Sequence, residues 1–269
     1  MAIYEFTHAI IRKPARSVAL GLREGGGPDP TFEGIADEHA AYAAALLKAG
    51  LAVTVVPGAE QFPDSVFIED PALVLPEGAI LLRPGAPSRA GEAALLEPVL
   101  REKFVELVVL DDGHAEGGDV LAAAEVVFIG LSKRTDTAGA HALARALARF
   151  GRRARIVQTP AGVLHFKSDC ALIDEETVLT TSRLSQTGVF KGLREILAPE
   201  GEERAANALR VNEALFVGAG FPRTADRLDA AGYAVTPLAT EQIGRLDAGL
   251  SCLSLRWRDD ESVSTSAAS

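Results

Sequence analysis

The sequence predicts an α/β fold built from one repeated unit: two short apolar strands about a turn, an amphipathic helix and a further strand. Three observations lead to this. The unit recurs along the chain in the same order. Its starts are spaced by roughly 40–50 residues, and a unit of that size has too little apolar surface to stand alone, so neighbours share a core by stacking or by closing into a ring. Finally, 48% of the 269 residues are apolar, with one Met, one Trp and three Tyr, so the expected core is aliphatic, made of Ala, Leu and Val.

The elements follow in order. An N-terminal unit places a helix at 34–49 before the strand Ala52-Val53-Thr54-Val55-Val56. A second begins at Asp64 and runs through Ala72-Leu73-Val74-Leu75, a Pro-Glu-Gly turn at 76–78 and Ala79-Ile80-Leu81-Leu82. It continues into a helix near 90–103 and the strand Glu106-Leu107-Val108-Val109-Leu110. The third opens on Glu116-Gly117-Gly118-Asp119, with strands at 120–121 and 126–130, a helix at about 137–150 and a strand at 154–157. Similar starts fall at His165, Leu209 and Asp247, and the Leu209 unit carries a helix near 222–231 before Tyr233-Ala234-Val235-Thr236-Pro237-Leu238. Counting the N-terminal unit, the complete units number five, against six starts. Length alone admits one or two domains; the repetition is read as a single domain over 1–258. The tail at 259–269, acidic and then rich in Ser, Thr and Ala, is expected to be disordered.

A closed ring would point the strand starts inward, where Asp64, Glu69, Asp70, Glu116, Asp119, His165, Asp247 and Cys252 fall. Carboxylates at strand ends often serve only to cap turns. So many together are better explained by a central polar site. The chain has two cysteines. Cys170 sits in the apolar-flanked stretch Ser168-Asp169-Cys170-Ala171-Leu172-Ile173, where a free Cys acts as a small buried hydrophobe. Cys252 follows Gly249 and Ser251, and pairs in chemistry with His165: an imidazole can stabilise a thiolate and then pass a proton to a leaving group. His8, His39, His114 and His141 are read as surface or packing residues without metal-ligand spacing. Gly25-Gly26-Gly27 reads as a gate over a pocket, or as an idle surface loop.

With these residues placed, the chain resembles the dimethylarginine dimethylaminohydrolase family, part of the guanidino-group-modifying superfamily of five-bladed α/β propellers. The resemblance covers nearly the whole chain. It rests on ordered motifs: Phe62-Pro63-Asp64-Ser65-Val66-Phe67-Ile68-Glu69-Asp70, Arg83 to Arg89, Glu116-Gly117-Gly118-Asp119-Val120, Gly130 to Thr135, His165-Phe166-Lys167-Ser168 and Asp247 to Cys252. It implies a five-fold pseudosymmetric α/β propeller of ββαβ-type units around a central polar site. It implies Cys252 as nucleophile, His165 as general acid and base, and Glu116 as the acid orienting His165. Asp70 would grip the guanidinium, with Glu69 and Phe67 as pocket neighbours. Asp64 would bind the α-amino end, Arg89 and Arg134 the α-carboxylate, and Leu22, Leu246 and Asp247 would supply further contacts at the amino-acid end. The Gly25-Gly26-Gly27 gate departs from the family pattern and leaves the lid contacts open. The implied reaction releases citrulline through a covalent S-alkylthiouronium and requires no metal or organic cofactor.

Elementary chemistry agrees with that reading. A guanidinium carbon is a poor electrophile, so a carboxylate must fix its plane while a thiolate adds to it. The expected partner is a small cationic amino acid. A net charge of −10 opposes nucleic acid, and no apolar segment approaches a membrane span. The N-terminus lacks the basic stretch and apolar run of a signal peptide, and two cysteines without a pairing framework suit the cytoplasm. A homodimer is one admissible assembly. Three other functions compete: an arginine deiminase acting on free arginine, a Cys–His hydrolase of thioesters or peptides, and a non-catalytic propeller that binds arginine-like ligands.

Overall fold

The structure is a computed structural model and describes residues 3–259. The fifteen strands form five separate three-stranded sheets. The second blade contains β3 (Ala72–Leu75), β4 (Gly78–Leu81), α2 (Glu97–Lys103) and β5 (Leu107–Val109). The third contains β6 (Val120–Ala122), β7 (Val127–Leu131), α3 (Thr137–Arg149) and β8 (Ala154–Gln158). The fourth is β9 (Cys170–Leu172), β10 (Thr177–Thr180), α4 (Ser182–Ser185) and β11 (Arg194–Leu197). The fifth is β12 (Leu209–Val211), β13 (Ala214–Gly218), α5 (Pro222–Ala230) and β14 (Ala234–Leu238), followed by α6 (Glu241–Gly244). In each, the first two strands pair antiparallel and the helix returns the chain to a parallel third strand.

The first blade is assembled from both ends of the chain. β1 (His8–Arg12), α1 (Phe32–Lys48) and β2 (Ala52–Val56) come from the N-terminal part, and the inner strand is β15 (Leu255–Trp257), antiparallel to β1. The start expected at Asp247 therefore opens no sixth unit; it completes the first.

The alternative between stacking and ring closure is settled by the apolar clusters, one at each blade junction. Ile10, Trp257 and Phe104 join the first and second blades. Ile80, Val120 and Leu143 join the second and third, and Phe128, Phe166 and Val178 the third and fourth. Leu179, Leu215 and Leu228 join the fourth and fifth. The fifth junction closes the ring, because Phe216 and Leu209 pack with Ile11, Tyr42 and Leu46 of the first blade. The fold is the five-unit pseudosymmetric α/β propeller expected of the family. Each junction buries side chains that neither blade could bury alone.

Local chemistry accounts for the helix bounds. Thr31 caps α1 by accepting the Gly34 N–H at 3.1 Å, and Asp136 caps α3 by accepting that of Gly139 at 2.7 Å. Glu38, on α1, receives the N–H groups of Gln242 and Ile243 and so caps α6. The helix expected near 90–103 starts only at Glu97: Gly91 takes φ +104°, outside the helical region, and two 3-10 turns occupy 87–95. Of the tail expected to be disordered, only Asp259 is among the described residues; its N–H donates to Thr7 Oγ1 at 2.8 Å. Among the described residues no helix is long and apolar enough to cross a membrane.

Trp257 anchors the inner strand of the first blade. It stacks on His8 with ring centroids 5.2 Å apart and meets Phe104 at 4.9 Å. Trp257→Ala is expected to lower unfolding free energy by about 3–5 kcal/mol, measured by urea denaturation; a loss within the range of a surface substitution would show that β15 does not hold the ring.

Candidate active site

Every inner strand is entered through a 3-10 turn: Pro63–Val66, Gly117–Asp119, Phe166–Ser168, Glu203–Ala206 and Leu250–Leu253. Three of these turns are capped from the preceding blade. Asp70 Oδ1 accepts the Gly118 N–H at 3.0 Å, Asp119 Oδ1 that of Phe166 at 2.8 Å, and Asn207 Oδ1 that of Ser251 at 3.0 Å. Each polar residue thus satisfies a backbone donor and fixes the turn of its neighbour. Glu116 and His165 lie immediately before their turns, and Cys252 lies within its own. His165 and Cys252, expected at strand edges, stand one turn ahead of the strands.

The Glu-Gly-Gly-Asp motif has a steric reason. A Cβ at Gly117 would fall on the Glu69 carbonyl oxygen, and one at Gly118 would lie 2.7 Å from His165 Cγ and 2.9 Å from Asp70 Oδ1. Only glycine lets the three functional groups approach across this turn.

The buried centre is a connected array. His165 Nε2 lies 2.6 Å from Glu116 Oε2 and 3.9 Å from Asp70 Oδ1. Glu116 Oε1 receives the Gly85 N–H at 2.9 Å and faces Arg134 Nη1 at 3.4 Å. Asp70 Oδ2 takes Arg89 Nη1 at 2.5 Å. Phe67, Leu246 and Cys252 share the apolar cluster at the junction of the first and fifth blades, and the Cys252 carbonyl accepts the Glu69 N–H at 3.2 Å. Donor atoms of Asp70, Glu116 and His165 lie within 4.8 Å of one another, close enough for a divalent ion. Their other bonds mark them as a hydrogen-bonded acid–base set.

The rim carries the remaining candidates. Asp64 Oδ1 accepts the Leu22 N–H at 2.9 Å, and Asp247, in the left-handed region at φ 57°, accepts that of Glu24 at 2.7 Å. Lys133 reaches Glu24 at 3.2 Å from the opposite side. The segment holding Gly25-Gly26-Gly27 is thereby tied across the mouth. Arg89 differs from its expected place at the α-carboxylate. It is 3% exposed, with Nε and Nη2 on Glu92 at 3.0 and 2.7 Å and Nη2 also on the Asp64 and Phe67 carbonyls. Arg134 is the more open of the two arginines, its side chain 15% exposed against 4% for Arg89.

The chain is similar to known proteins in sequence and in fold. A family model described as arginine deiminase matches residues 56–215. A dimethylarginine dimethylaminohydrolase of Pseudomonas aeruginosa is 35% identical over 254 residues, spanning 94% of this chain and 100% of that protein. The chain belongs to the dimethylarginine dimethylaminohydrolase family. A solved structure of the Pseudomonas aeruginosa family member, a Cys-to-Ser variant complexed with citrulline, has a TM-score of 0.91 at 33% identity, over 94% of this chain and 100% of that one. Another dimethylarginine dimethylaminohydrolase structure, a His-to-Gly variant as an adduct with S-methyl-L-thiocitrulline, also has a TM-score of 0.91, at 34% identity over 93% of this chain and 99% of that one.

In this member of the dimethylarginine dimethylaminohydrolase family the charges are strongly coupled. Burial works against a charged His165, but the Asp70 charge, the hydrogen bond to Glu116 and the Asp119 charge together push it up to about 9. Burial would raise Asp70, yet His165 and Arg89 hold it below the usual carboxylate range. Burial, then the charges of Glu69 and Asp70, push the Cys252 thiol up to about 12, while the Gly249 backbone and Lys167 act the other way. These shifts favour an imidazolium at His165 and a thiol at Cys252. Cys170 is a buried hydrophobe as expected, its thiol bonded to the Phe166 carbonyl at 3.4 Å and pushed well up by burial. His39 is buried in packing, which lowers it to about 4.

Several positioning residues escaped the sequence reading. Asn207 holds Ser251 beside the nucleophile and donates to the Lys167 carbonyl at 2.9 Å. Thr135 bridges the Glu116 N–H to Asp119, and Glu92 braces Arg89. The available signal for Asn207 was its place ahead of an inner strand, matching Asp70 and Asp119 in the other blades.

His165 gives a stability test. Its folded pKa is raised above the ordinary 6.5, so its contribution is complete below about 6.5 and is lost as pH rises through about 9. The melting temperatures of the parent and His165→Ala are expected to converge across that window; a gap independent of pH would contradict a protonated His165.

Proposed function

We propose that the protein hydrolyses N-methylated arginine, asymmetric dimethylarginine or monomethylarginine, to citrulline and dimethylamine or methylamine. One observation carries the reading: Asp70, Glu116 and His165 form a buried array at the hub, where Cys252 is buried too and burial with the charges of Glu69 and Asp70 pushes its thiol up. A cation entering this pocket offsets the Asp70 charge, so the Cys252 thiol gives its proton to solvent and the thiolate becomes accessible. The known relative complexed with citrulline, and the adduct of another with S-methyl-L-thiocitrulline, support the same substrate class.

The reaction follows from the groups present. Asp70 fixes the guanidinium plane, and the Cys252 thiolate adds to its carbon. The imidazolium of His165 gives its proton to the substituted nitrogen, the C–N bond breaks, and the amine departs, leaving an S-alkylthiouronium. Neutral His165 then takes a proton from water as the hydroxyl adds to the same carbon. The C–S bond breaks and the hydroxyl proton passes to the departing thiolate, restoring the thiol and leaving the ureido group of citrulline. Glu116 holds the ring throughout. Arg134 receives the α-carboxylate, Asp64 the α-amino group, and the carbonyls of Leu22 and Leu246 line that end. Arg89 serves this site chiefly by holding Asp70. Cytoplasmic residence fits two cysteines that are both unpaired.

Product analysis tests this directly. Arginine, monomethylarginine and asymmetric dimethylarginine are supplied in parallel, and citrulline, ammonia and the methylamines are quantified. Cys252→Ser is expected to lose at least ~10³-fold in rate and Cys170→Ser to remain active. The reverse pattern would overturn the nucleophile, and turnover of unmethylated arginine alone would make the chain an arginine deiminase in activity.

The two arginines should separate. Arg134→Ala is expected to raise KM by roughly ten- to a hundredfold, the worth of a charged hydrogen bond at about 1.5–3 kcal/mol, with little change in melting. Arg89→Ala leaves Asp70 and Glu92 buried without their cation, and is expected to cost about 3–5 kcal/mol of stability as well as activity. Steady-state kinetics with urea denaturation distinguishes them; a stable Arg89→Ala altered only in KM would restore Arg89 to the α-carboxylate.

A further inference from the structure

The mechanism above leaves an ion pair at the hub unused. Glu69 Oε1 lies 2.5 Å from Lys167 Nζ and 3.2 Å from Arg256 Nη2, and its Oε2 accepts from Ser251 Oγ at 2.9 Å. Both partners are mostly buried, with side-chain exposures of 7% for Glu69 and 12% for Lys167. Each is covalently close to the chemistry. Glu69 precedes Asp70, Lys167 follows His165 by two positions, and Ser251 precedes Cys252. The backbone repeats these links, since the Glu69 N–H donates to the Cys252 carbonyl and Asn207 bonds both Ser251 and the Lys167 carbonyl.

Behind the pair lies a cavity of about 430 Å³ that the inner strands of all five blades line. Glu69, Lys167, Ser251 and Arg256 line it, and Asp70, Glu116, His165 and Cys252 do not. The ion pair is therefore the partition between the catalytic pocket and a second chamber. At about 30 Å³ per water, that volume has room for several waters.

The charged groups that act on Cys252 come from two turns, Glu69 and Asp70 ahead of β3 and Lys167 ahead of β9, where His165 also lies; Arg256 on β15 pairs with Glu69 and Arg89 with Asp70. Glu69 is the carboxylate whose charge opposes the thiolate most, and Lys167 is the cation that opposes Glu69. A structural clamp would need only that the pair exist. A charge-compensating pair has a signed consequence, because removing the two members must move the thiol in opposite directions.

We propose that Lys167 is a positioning residue for the nucleophile: by holding Glu69 in an ion pair beneath Ser251 and Cys252, it cancels the one carboxylate that no substrate cation is needed to neutralise. Asp70 alone is then left for the guanidinium. The proposal rests on Cys252 being the nucleophile.

The test uses full-length chains in a Cys170→Ser background, where Cys252 is the only thiol. The second-order rate of iodoacetamide alkylation, read by mass spectrometry at fixed, mildly alkaline pH, reports the thiolate fraction. Lys167→Met is expected to slow it about tenfold or more, the effect of one nearby charge. Glu69→Gln is expected to speed it by a similar factor, the double variant to return towards the parent, and Lys167→Arg to stay close to it. Unchanged alkylation in Lys167→Met, or Glu69→Gln moving in the same direction as Lys167→Met, would overturn the proposal. Should Lys167→Met not fold, Glu69→Gln decides by sign, and a rate that is slower or unmoved overturns it. Turnover surviving in Cys252→Ser would remove the nucleophile itself; lost turnover there with insensitive alkylation would remove only the role of Lys167.

Discussion

The buried carboxylate of Asp70 bonds forward to the Gly118 N–H of the next blade, sideways to Arg89, and across 3.9 Å to His165. The rest of the site depends on the kind of link it makes. In a ring of blades with short inner strands, nothing in the sheets themselves sets how one blade's entry turn sits against the next. A side chain that caps its neighbour's turn does. Asp119 repeats the device towards Phe166 and Asn207 towards Ser251, so the residues next to these caps, Glu116, His165 and Cys252, inherit a common frame. The same atoms that satisfy backbone donors are those that set the reacting groups, which is why two glycines stand where any side chain would collide with them.

The frame also explains the protonation states. Three carboxylates around His165 outweigh its burial and keep it an imidazolium. Burial, with the charges of Glu69 and Asp70, keeps the thiol protonated. The pocket thus carries unbalanced negative potential that only a cation of the right shape relieves, and the acid needed for the leaving group is loaded in advance. Specificity and activation become one event: a neutral ligand of equal size would fill the pocket without releasing the nucleophile.

The repeat was legible in the sequence because it is written in apolar strands and turn residues, which depend on local pattern alone. The inward Asp, Glu, His and Cys residues could be read for a similar reason: a charge facing a hub is conspicuous. What stayed hidden depends on partners distant in sequence. Asn207 carries no charge, and its importance appears only when the Ser251 turn is beside it. Glu92 looked like part of a helix, and becomes a brace only because Gly91 breaks that helix and Arg89 turns inward. Arg89 itself illustrates the limit, since its residue type suits an open carboxylate site and a buried carboxylate equally, and tertiary placement decides between them. The Asp247 start looked like the opening of another unit because pairing with β1 is invisible from position alone.

That pairing orders events in time. The inner strand of the first blade comes from the C-terminal part of the chain, joined to β1 across nearly the full length of the sequence, so the contact with the largest loop-closure entropy is also the one that seals the ring. Cys252 sits in the turn that leads into this strand. Four blades can collapse with Asp70, Glu116 and His165 already gathered, and the molecule still has no thiol at its centre. The nucleophile is carried by the contact with the largest loop-closure cost, so a chain without that contact lacks Cys252 at its hub as well as its seal.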